Sequence, residues 1–158
     1  LPRIGKAGNI IKVYKLRTMH PYSEYIQDYV YRLHDIQDGG KFKHDFRITS
    51  WGAVYRKIWL DELPMLFNFF SGDMKLVGIR PLSKQYFELY NKEVQKRRIK
   101  YKPGLIPPFY ADMPEDLEAI QASELKYLDA FDTHPFITDF RYFWKSVWNI
   151  MFHKARSN

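Results

Sequence analysis

The chain has 158 residues, 46% of them apolar and 18% aromatic, and it carries a formal net charge of +7 at pH 7. This length fits one domain with a hydrophobic core over residues 1–158, and the absence of cysteine excludes disulfides, thiolate nucleophiles and cysteine-ligated metal centres. The positive charge favours an anionic partner, and nucleic acid, anionic lipid and phosphorylated small molecules all satisfy it.

The first third of the chain predicts a short strand, a helix and a loop. Residues 10–19 alternate between apolar and polar side chains, as in a half-buried strand. Pro21 is suited to the first position of a helix, and apolar residues at helical spacing extend that helix over residues 22–36. Gly39-Gly40 then ends it. Residues 41–50 are polar and predict a loop.

The remainder of the chain predicts mainly helices. Residues 60–70 predict a short apolar helix that stops at Ser71-Gly72, and residues 76–78 predict a strand or a loop. Residues 105–113 contain two adjacent prolines, Pro107 and Pro108, and predict a loop. Further helices are predicted over residues 81–100, 114–130 and 136–153.

The segment Leu60-Asp61-Glu62-Leu63-Pro64 places two adjacent carboxylates at the start of the predicted 60–70 helix. Free N–H groups and the positive dipole end of a helix favour an ionised Asp and an incoming phosphate there. One carboxylate is suited to attack phosphorus while the other holds a metal ion. Acidic residues are also common in ordinary first helical turns, where they interact only with the helix dipole.

Basic residues flank this acid pair on both sides. Arg56 and Lys57 precede it, and Arg80 follows it in Gly78-Ile79-Arg80-Pro81. Arginine is suited to bidentate phosphate contacts, and Arg80 stands directly before a predicted helix start. An acid pair, basic residues and glycines within one short region suggest phosphoryl transfer.

Several ordered motifs run along the chain, most densely between Arg47 and Pro81. They are Arg3-Ile4-Gly5-Lys6, Lys12-Val13-Tyr14-Lys15-Leu16-Arg17-Thr18-Met19, Arg47-Ile48-Thr49, Arg56-Lys57, Leu60-Asp61-Glu62-Leu63-Pro64, Gly72-Asp73-Met74, Leu76-Val77-Gly78, Arg80-Pro81 and Lys102-Pro103-Gly104. With these motifs the chain resembles the bacterial sugar transferase family, the monotopic phosphoglycosyl transferases that start glycan assembly on polyprenyl phosphate. Glu124, Tyr127 and Asp139 stand where that family has its later acidic and tyrosine positions.

The resemblance implies an α+β fold, mainly helical with a few short strands. It also implies a magnesium-dependent transfer of a sugar-1-phosphate from a UDP-sugar to polyprenyl (undecaprenyl) phosphate. In such a reaction Asp61 would attack the phosphate that bears the sugar, and UMP would leave. The phospho-sugar would then pass from Asp61 to the polyprenyl phosphate, while Glu62 would be a Mg²⁺ ligand.

The resemblance also implies which cations contact the substrate. Arg56 and Arg80 match arginines that contact the phosphates of the substrate in this family. Lys15 and Arg17 lie in another matching motif and are further candidate phosphate-binding cations, with a purely structural role as the alternative.

Three departures from the family pattern motivate a second hypothesis. Met65 stands where the family has Gln, Ile79 stands where it has Pro, and residues 105–110 replace an Ile-Thr-Gly motif and the residues after it. The alternative is therefore a catalytically silent nucleotide-sugar- or membrane-binding domain of the same fold. A nucleic-acid-binding module would explain the charge, but no recognised motif supports it and we expect no nucleic-acid partner.

The last predicted helix combines aromatic and basic residues. Its aromatic and aliphatic residues recur at helical spacing, and they are Phe136, Phe140, Phe143, Trp144, Val147, Trp148 and Met151. Such a helix suits the headgroup region of a membrane surface, and a core-packing helix is the alternative.

No segment predicts a transmembrane helix, because residues 58–70 include Asp61 and Glu62 and are too short to cross a bilayer. The chain begins with Leu1 rather than Met, and we expect that the N-terminal membrane helix of the family is not part of this sequence. We therefore expect a catalytic portion of a longer protein that acts at the cytoplasmic face of the bacterial inner membrane.

Overall fold

The structure is a computed structural model that describes residues 1–26, 29 and 45–152. The predicted helix over residues 22–36 begins as a 3-10 helix at Pro21–Glu24. Most of the remainder of that prediction lies outside the described residues, and so do residues 41–44 of the predicted 41–50 loop. Residues 45–49 of that loop form turns and one isolated bridge, and Ser50 already begins a helix.

Two small sheets lie in the described part of the chain. Strand β1 (Pro2–Ile4) pairs antiparallel with β2 (Ile10–Lys12), and a 3-10 helix at Lys6–Gly8 connects them. Strand β3 (Lys75–Val77) pairs in parallel with β4 (Gly104–Ile106). The predicted 10–19 strand is therefore shorter than expected.

The reason for this short strand is a side chain that takes the place of a partner strand. Asn68 is fully buried, with 0% of its surface exposed. Its Oδ1 accepts a hydrogen bond from the Tyr14 backbone N–H at 2.9 Å, and its Nδ2 donates to the Lys12 carbonyl at 2.8 Å. The backbone polar groups beyond β2 are thus satisfied without a ladder.

Helices dominate the described residues, which confirms the predicted α+β class that is mainly helical with a few short strands. They are α1 (Ser50–Lys57), α2 (Met65–Phe70), α3 (Lys84–Glu88), α4 (Lys92–Arg98), α5 (Pro108–Asp112), α6 (Leu117–Thr133) and α7 (Pro135–Phe152).

The predicted single helix over residues 81–100 is wrong, because it is divided into α3 and α4. Asn91 has an extended backbone with φ −57° and ψ 141°, which breaks the helical path. Its N–H instead donates to Gln121 Oε1 at 2.8 Å, so a contact with α6 compensates for the missing helical hydrogen bond.

The predicted 105–113 loop is also wrong. The segment contains most of β4 and then α5, and Pro108 occupies the first turn of α5, where proline needs no N–H partner. The predicted helices over residues 114–130 and 136–153 are confirmed with shifted ends as α6 and α7. Helix α6 begins after Asp116 because that side chain caps it, accepting from the Ala119 N–H.

Three clusters of buried apolar side chains form the core. One joins β3 to α6 through Val77, Tyr127 and Leu128, and another packs α3 and α4 against α6. The third contains Val13, two residues before Lys15, and Met65, four residues after Asp61. It therefore packs the segment after β2 against the region of the acid pair.

Within the described ranges, no helix combines the length and the apolar character that crossing a bilayer requires.

Candidate active site

The two carboxylates of the acid pair converge on one ammonium group. Lys15 Nζ lies 2.9 Å from Asp61 Oδ2 and 3.0 Å from Glu62 Oε1. Asp61 is only 2% exposed, whereas Glu62 is half-buried. The structure therefore brings together three of the residues that the sequence predicted for this site.

The contact between Lys15 and Asp61 is an ion pair without hydrogen-bond geometry. Asp61 Oδ2 accepts no hydrogen bond from any described residue, although it is fully buried. A buried carboxylate oxygen in this condition is costly unless a charge compensates it. The lone pairs of Asp61 Oδ2 therefore accept no hydrogen bond from the described residues.

The backbone of the acid pair differs from the prediction. The pair lies in a 3-10 helix at Leu60–Glu62 that precedes α2, rather than in the first turn of one 60–70 helix. Trp59, directly before it, has a left-handed backbone with φ 60° and ψ 13°. Such a conformation is strained for a residue other than glycine and turns the chain sharply into the acid pair.

Lys15 is positioned by two anchors on its own segment. The Asn68 contacts described above hold residues 12–14, and the Leu16 N–H donates to the Asp61 carbonyl at 2.9 Å. The backbone on both sides of Lys15 is therefore fixed relative to the acid pair. This position lets the Lys15 side chain reach both carboxylates.

Arg56 reaches the same region from α1. Its Nε donates to Thr18 Oγ1 at 2.9 Å. Burial lowers the pKa of Arg56, and the nearby charges of Asp61 and Asp45 oppose that effect. Arg56 is thus a partly desolvated cation in the electrostatic field of Asp61, and its predicted phosphate contact stays a prediction.

Thr18 is a site residue to which sequence reasoning gave no role. It is buried, and its carbonyl accepts from the Thr49 N–H at 3.0 Å and from Thr49 Oγ1 at 3.2 Å. A Cβ at Gly52 would lie 2.0 Å from this carbonyl oxygen, so only glycine lets α1 approach so closely. This approach brings Arg56 to the Thr18 hydroxyl.

A buried ion pair between Arg47 and Asp45 lies near Arg56. Arg47 donates through Nε to Asp45 Oδ1 at 2.8 Å and through Nη2 to Oδ2 at 2.6 Å, which is a bidentate contact. Burial alone would raise the pKa of Asp45, but the hydrogen bonds from Arg47 outweigh it and hold that pKa below its usual value. The sequence showed Arg47 as part of a motif, but no sequence pattern identified Asp45 as its partner.

The structure does not bring Arg17 and Arg80 into this cluster. Arg17 is exposed, and neither arginine makes a side-chain hydrogen bond or ion pair within the described ranges. Arg80 instead lies close to Arg3, whose pKa is lowered by burial and then by the Arg80 charge. Their predicted phosphate contacts stay predictions.

The later acidic and tyrosine positions all take part in polar contacts. Arg98 and Glu124 form a buried ion pair, and Arg98 Nη2 also donates to the Arg80 carbonyl at 2.6 Å. Burial lowers the pKa of Arg98 to about 10. Tyr127 donates to Asp139 at 2.6 Å, and burial followed by the Asp139 contact raises the pKa of that tyrosine.

The acid pair fits a magnesium ion by its ligand chemistry. Mg²⁺ is typically held by one or two carboxylates, with water and substrate phosphates as the other ligands. Asp61 Oδ2 is a carboxylate oxygen without a hydrogen-bond donor, and the Glu62 carboxylate lies beside it. No group of three or more histidine, aspartate or glutamate side chains suited to a metal occurs in the part of the chain that the structure describes.

The fold and the acid pair agree with the result of sequence comparison. The family described as Bacterial sugar transferase matches residues 1–153. The chain belongs to this family, and the predicted resemblance is confirmed.

Several relatives of this chain are named sugar or sugar-phosphate transferases. It is 42% identical over 105 residues to a galactosyl transferase, CpsE, of Streptococcus agalactiae, covering 65% of this chain and 23% of the relative. It is 38% identical over 109 residues to an undecaprenyl-phosphate galactose phosphotransferase of Salmonella typhimurium, covering 65% and 22%. It is 35% identical over 107 residues to a UDP-N-acetylgalactosamine-undecaprenyl-phosphate N-acetylgalactosaminephosphotransferase of Aeromonas hydrophila, again covering 65% and 22%. The chain thus spans less than a quarter of the length of these relatives.

Proposed function

We propose that this chain is the catalytic part of a transferase that moves a sugar-1-phosphate from a UDP-sugar to polyprenyl phosphate. The observation that carries this proposal is the buried Asp61 carboxylate, which is ion-paired with Lys15 and has one oxygen free of hydrogen bonds. Family membership and the names of the relatives support the same reaction class.

The proposed reaction has two displacement steps. An Asp61 carboxylate oxygen attacks the phosphorus that bears the sugar, and the bond between the two phosphates breaks, so UMP leaves with the bridging oxygen. A phosphate oxygen of polyprenyl phosphate then attacks the same phosphorus, and the Asp61 carboxylate is released. Dividing one difficult transfer into two displacements is the general advantage of covalent catalysis.

The basic residues of the site have an electrostatic task in this reaction. A UDP-sugar carries negative charge that would repel an attacking carboxylate. Lys15 and Arg56 place positive charge beside Asp61, which offsets this repulsion and stabilises charge that develops on the phosphate oxygens. Glu62 is the residue that we propose as the main Mg²⁺ ligand, and the bound ion would add further charge neutralisation at the diphosphate.

A membrane surface is the proposed location of the acceptor. Helix α7 leaves large aromatic side chains exposed along its length, including Phe136, Phe140, Trp144 and Trp148. Aromatic side chains of this kind suit the interface between headgroups and acyl chains. We therefore place the full-length protein at the cytoplasmic face of the inner membrane, where it would begin glycan assembly.

UMP release by the full-length protein in lipid tests the proposal directly, with polyprenyl phosphate, Mg²⁺ and a panel of UDP-sugars. We expect Asp61→Asn to lower the rate by about 10³-fold or more, as for the loss of a catalytic nucleophile. Asp129→Asn is the matched control, because Asp129 is exposed and its one ion-pair partner among the described residues is Arg97.

Two outcomes would contradict the proposed function. If Asp61→Asn released UMP as fast as the unmodified protein, Asp61 would not be the nucleophile. If the protein bound UDP-sugars but released no UMP with any of them, the chain would be a nucleotide-sugar-binding domain.

A further inference from the structure

A basic cavity lies outside the acid-pair site. It has a volume of about 240 Å³ and is bordered by β3, the end of α4 and α6. Its lining consists of Lys6, Lys75, Ile79, Lys100, Tyr101, Lys102, Tyr127, Leu128 and Phe131. Four of these nine residues are lysines, none is acidic, and none belongs to the cluster of Lys15, Arg56 and the acid pair.

Backbone hydrogen bonds bring the lysines together in pairs. The Ala7 N–H donates to the Ile99 carbonyl at 2.6 Å, which places Lys6 near Lys100. The Lys75 N–H donates to the Pro103 carbonyl at 2.9 Å, which places Lys75 near Lys102. The convergence of these four side chains is therefore a consequence of the fold and not of flexible surface chains alone.

Most of this positive charge is not balanced by the protein. Lys75 pairs with Asp139 at 2.8 Å. Lys6, Lys100 and Lys102 make no side-chain hydrogen bond or ion pair within the described ranges. Like charges that converge on a cavity repel one another and attract an anion from solution.

The nearest acidic residues on α6 are already engaged. Asp129 and Asp132 both accept from Arg97 at 2.7 Å, and Asp132 also accepts from the Tyr101 hydroxyl at 2.5 Å. These carboxylates are therefore held by partners of their own and are not available to the three unpaired lysines.

The wall of the cavity is aromatic and apolar. Tyr101, Tyr127 and Phe131 supply rings, and Lys75 Nζ lies 3.6 Å from the centre of the Phe131 ring. Ile79 and Leu128 add aliphatic surface. Cavities that are mainly apolar with a few polar groups are typical of small-molecule sites, and this volume suits a small ligand.

We propose that this cavity binds a phosphate monoester that carries an apolar or planar substituent. The phosphate contacts the unpaired ammonium groups of Lys6, Lys100 and Lys102, and the substituent packs against the aromatic wall. The same chemistry is present in a soluble aromatic phosphate and in the phosphate headgroup of a lipid, so two probes separate these sources.

Isothermal titration calorimetry of the 158-residue chain tests the proposal with phenyl phosphate and with monomeric dihexanoyl phosphatidic acid. We expect the double variant Lys100→Gln/Lys102→Gln to bind the preferred probe about tenfold more weakly, because charge-assisted contacts to the phosphate are lost. The matched control is Lys92→Gln/Lys96→Gln, which removes the same charge from exposed positions on α4 outside the cavity and should leave binding unchanged.

The pattern of binding over the variants decides the result. Selective loss with phenyl phosphate supports a soluble phosphate ligand, and selective loss with the phosphatidic acid supports a lipid headgroup. An equal loss of affinity in both double variants would show that binding depends only on net charge, and this would overturn the proposal. Loss caused by Arg56→Gln but not by Lys100→Gln/Lys102→Gln would place the phosphate at the acid pair and also overturn it, and so would the absence of binding of either probe.

Discussion

Lys15 compensates the negative charge of the acid pair. Its ammonium contacts Asp61 and Glu62 at once, and Asp61 is buried enough that water cannot replace this partner. The sequence identified Lys15 only as a candidate cation within a motif. Its position between both carboxylates results from the Asn68 contacts on one side and the Leu16 contact on the other.

Replacing Lys15 by methionine should therefore destabilise the fold. We expect Lys15→Met to lower the free energy of unfolding by about 2–3 kcal/mol, because it leaves a buried carboxylate without a positive partner. This loss of unfolding free energy is smaller than for a fully buried ion pair, because the Lys15 side chain is 21% exposed. Urea unfolding at pH 7 measures the difference.

Two further variants make the Lys15 result specific. Lys57→Met removes an exposed lysine at the end of α1 and should change stability by less than about 0.5 kcal/mol. Adding Asp61→Asn to Lys15→Met should restore part of the loss. Equal losses in Lys15→Met and Lys57→Met would show that the ion pair contributes nothing to stability.

At the scale of elements, Asp112 joins three consecutive helices. It lies at the end of α5 and accepts from Ser123 of α6 at 2.8 Å and from Lys145 of α7 at 2.7 Å. Burial alone would raise the pKa of Asp112, but the hydrogen bonds from Lys145 and Ser123 outweigh it and hold that pKa below its usual value. Sequence patterns found α6 and α7 but not α5, so this junction could not be predicted.

The lowered pKa of Asp112 gives the pH dependence a definite sign. A carboxyl whose folded pKa is depressed stabilises the protein above its unfolded pKa, and this contribution is lost as pH falls through the folded pKa. We expect Asp112→Asn to cost about 1 kcal/mol at pH 7, a modest figure because Lys145 is 55% exposed. The cost should shrink as pH falls below about 4.

Urea unfolding at pH 7 and at pH 3 measures this effect. Asp116→Asn is the matched control, because asparagine caps a helix as well as aspartate does and should leave the stability nearly unchanged at both values. A cost for Asp112→Asn that stayed constant over this pH range would contradict an electrostatic origin.

At the scale of the whole molecule, the described surface retains extensive apolar area. Phe136 is 91% exposed, and Phe140, Trp144 and Trp148 follow it along α7. Large exposed apolar patches are unusual on proteins that have no partner. The positive net charge adds attraction to an anionic surface.

A membrane-binding role for α7 makes a measurable prediction. We expect the double variant Trp144→Ser/Trp148→Ser to bind vesicles of phosphatidylcholine and phosphatidylglycerol at least about tenfold more weakly, because two interfacial aromatic contacts are lost. Leu89→Ser, which removes an exposed apolar side chain after α3, is the control for nonspecific loss of apolar area. Flotation on a density gradient measures both variants, and equal binding by all three proteins would show that α7 does not contact the membrane.

Local patterns in the sequence determined much of this protein. The spacing of apolar residues predicted α6 and α7, and adjacent motifs predicted the family. The same motifs identified Asp61, Glu62 and Arg56 as candidates, whose catalytic roles stay predictions. These features depend on residues that are close in the chain, where periodicity and side-chain chemistry are directly readable.

Only the tertiary structure decided how distant residues meet. Asn68 reaches back 54 residues to the Tyr14 backbone. The close approach of α1 to Thr18 brings Arg56 to the Thr18 hydroxyl oxygen, which accepts its hydrogen bond. The tertiary structure also placed Arg80 beside Arg3 and gathered four lysines around the basic cavity. Such contacts depend on packing and on satisfying buried polar groups, which no local pattern in the chain records.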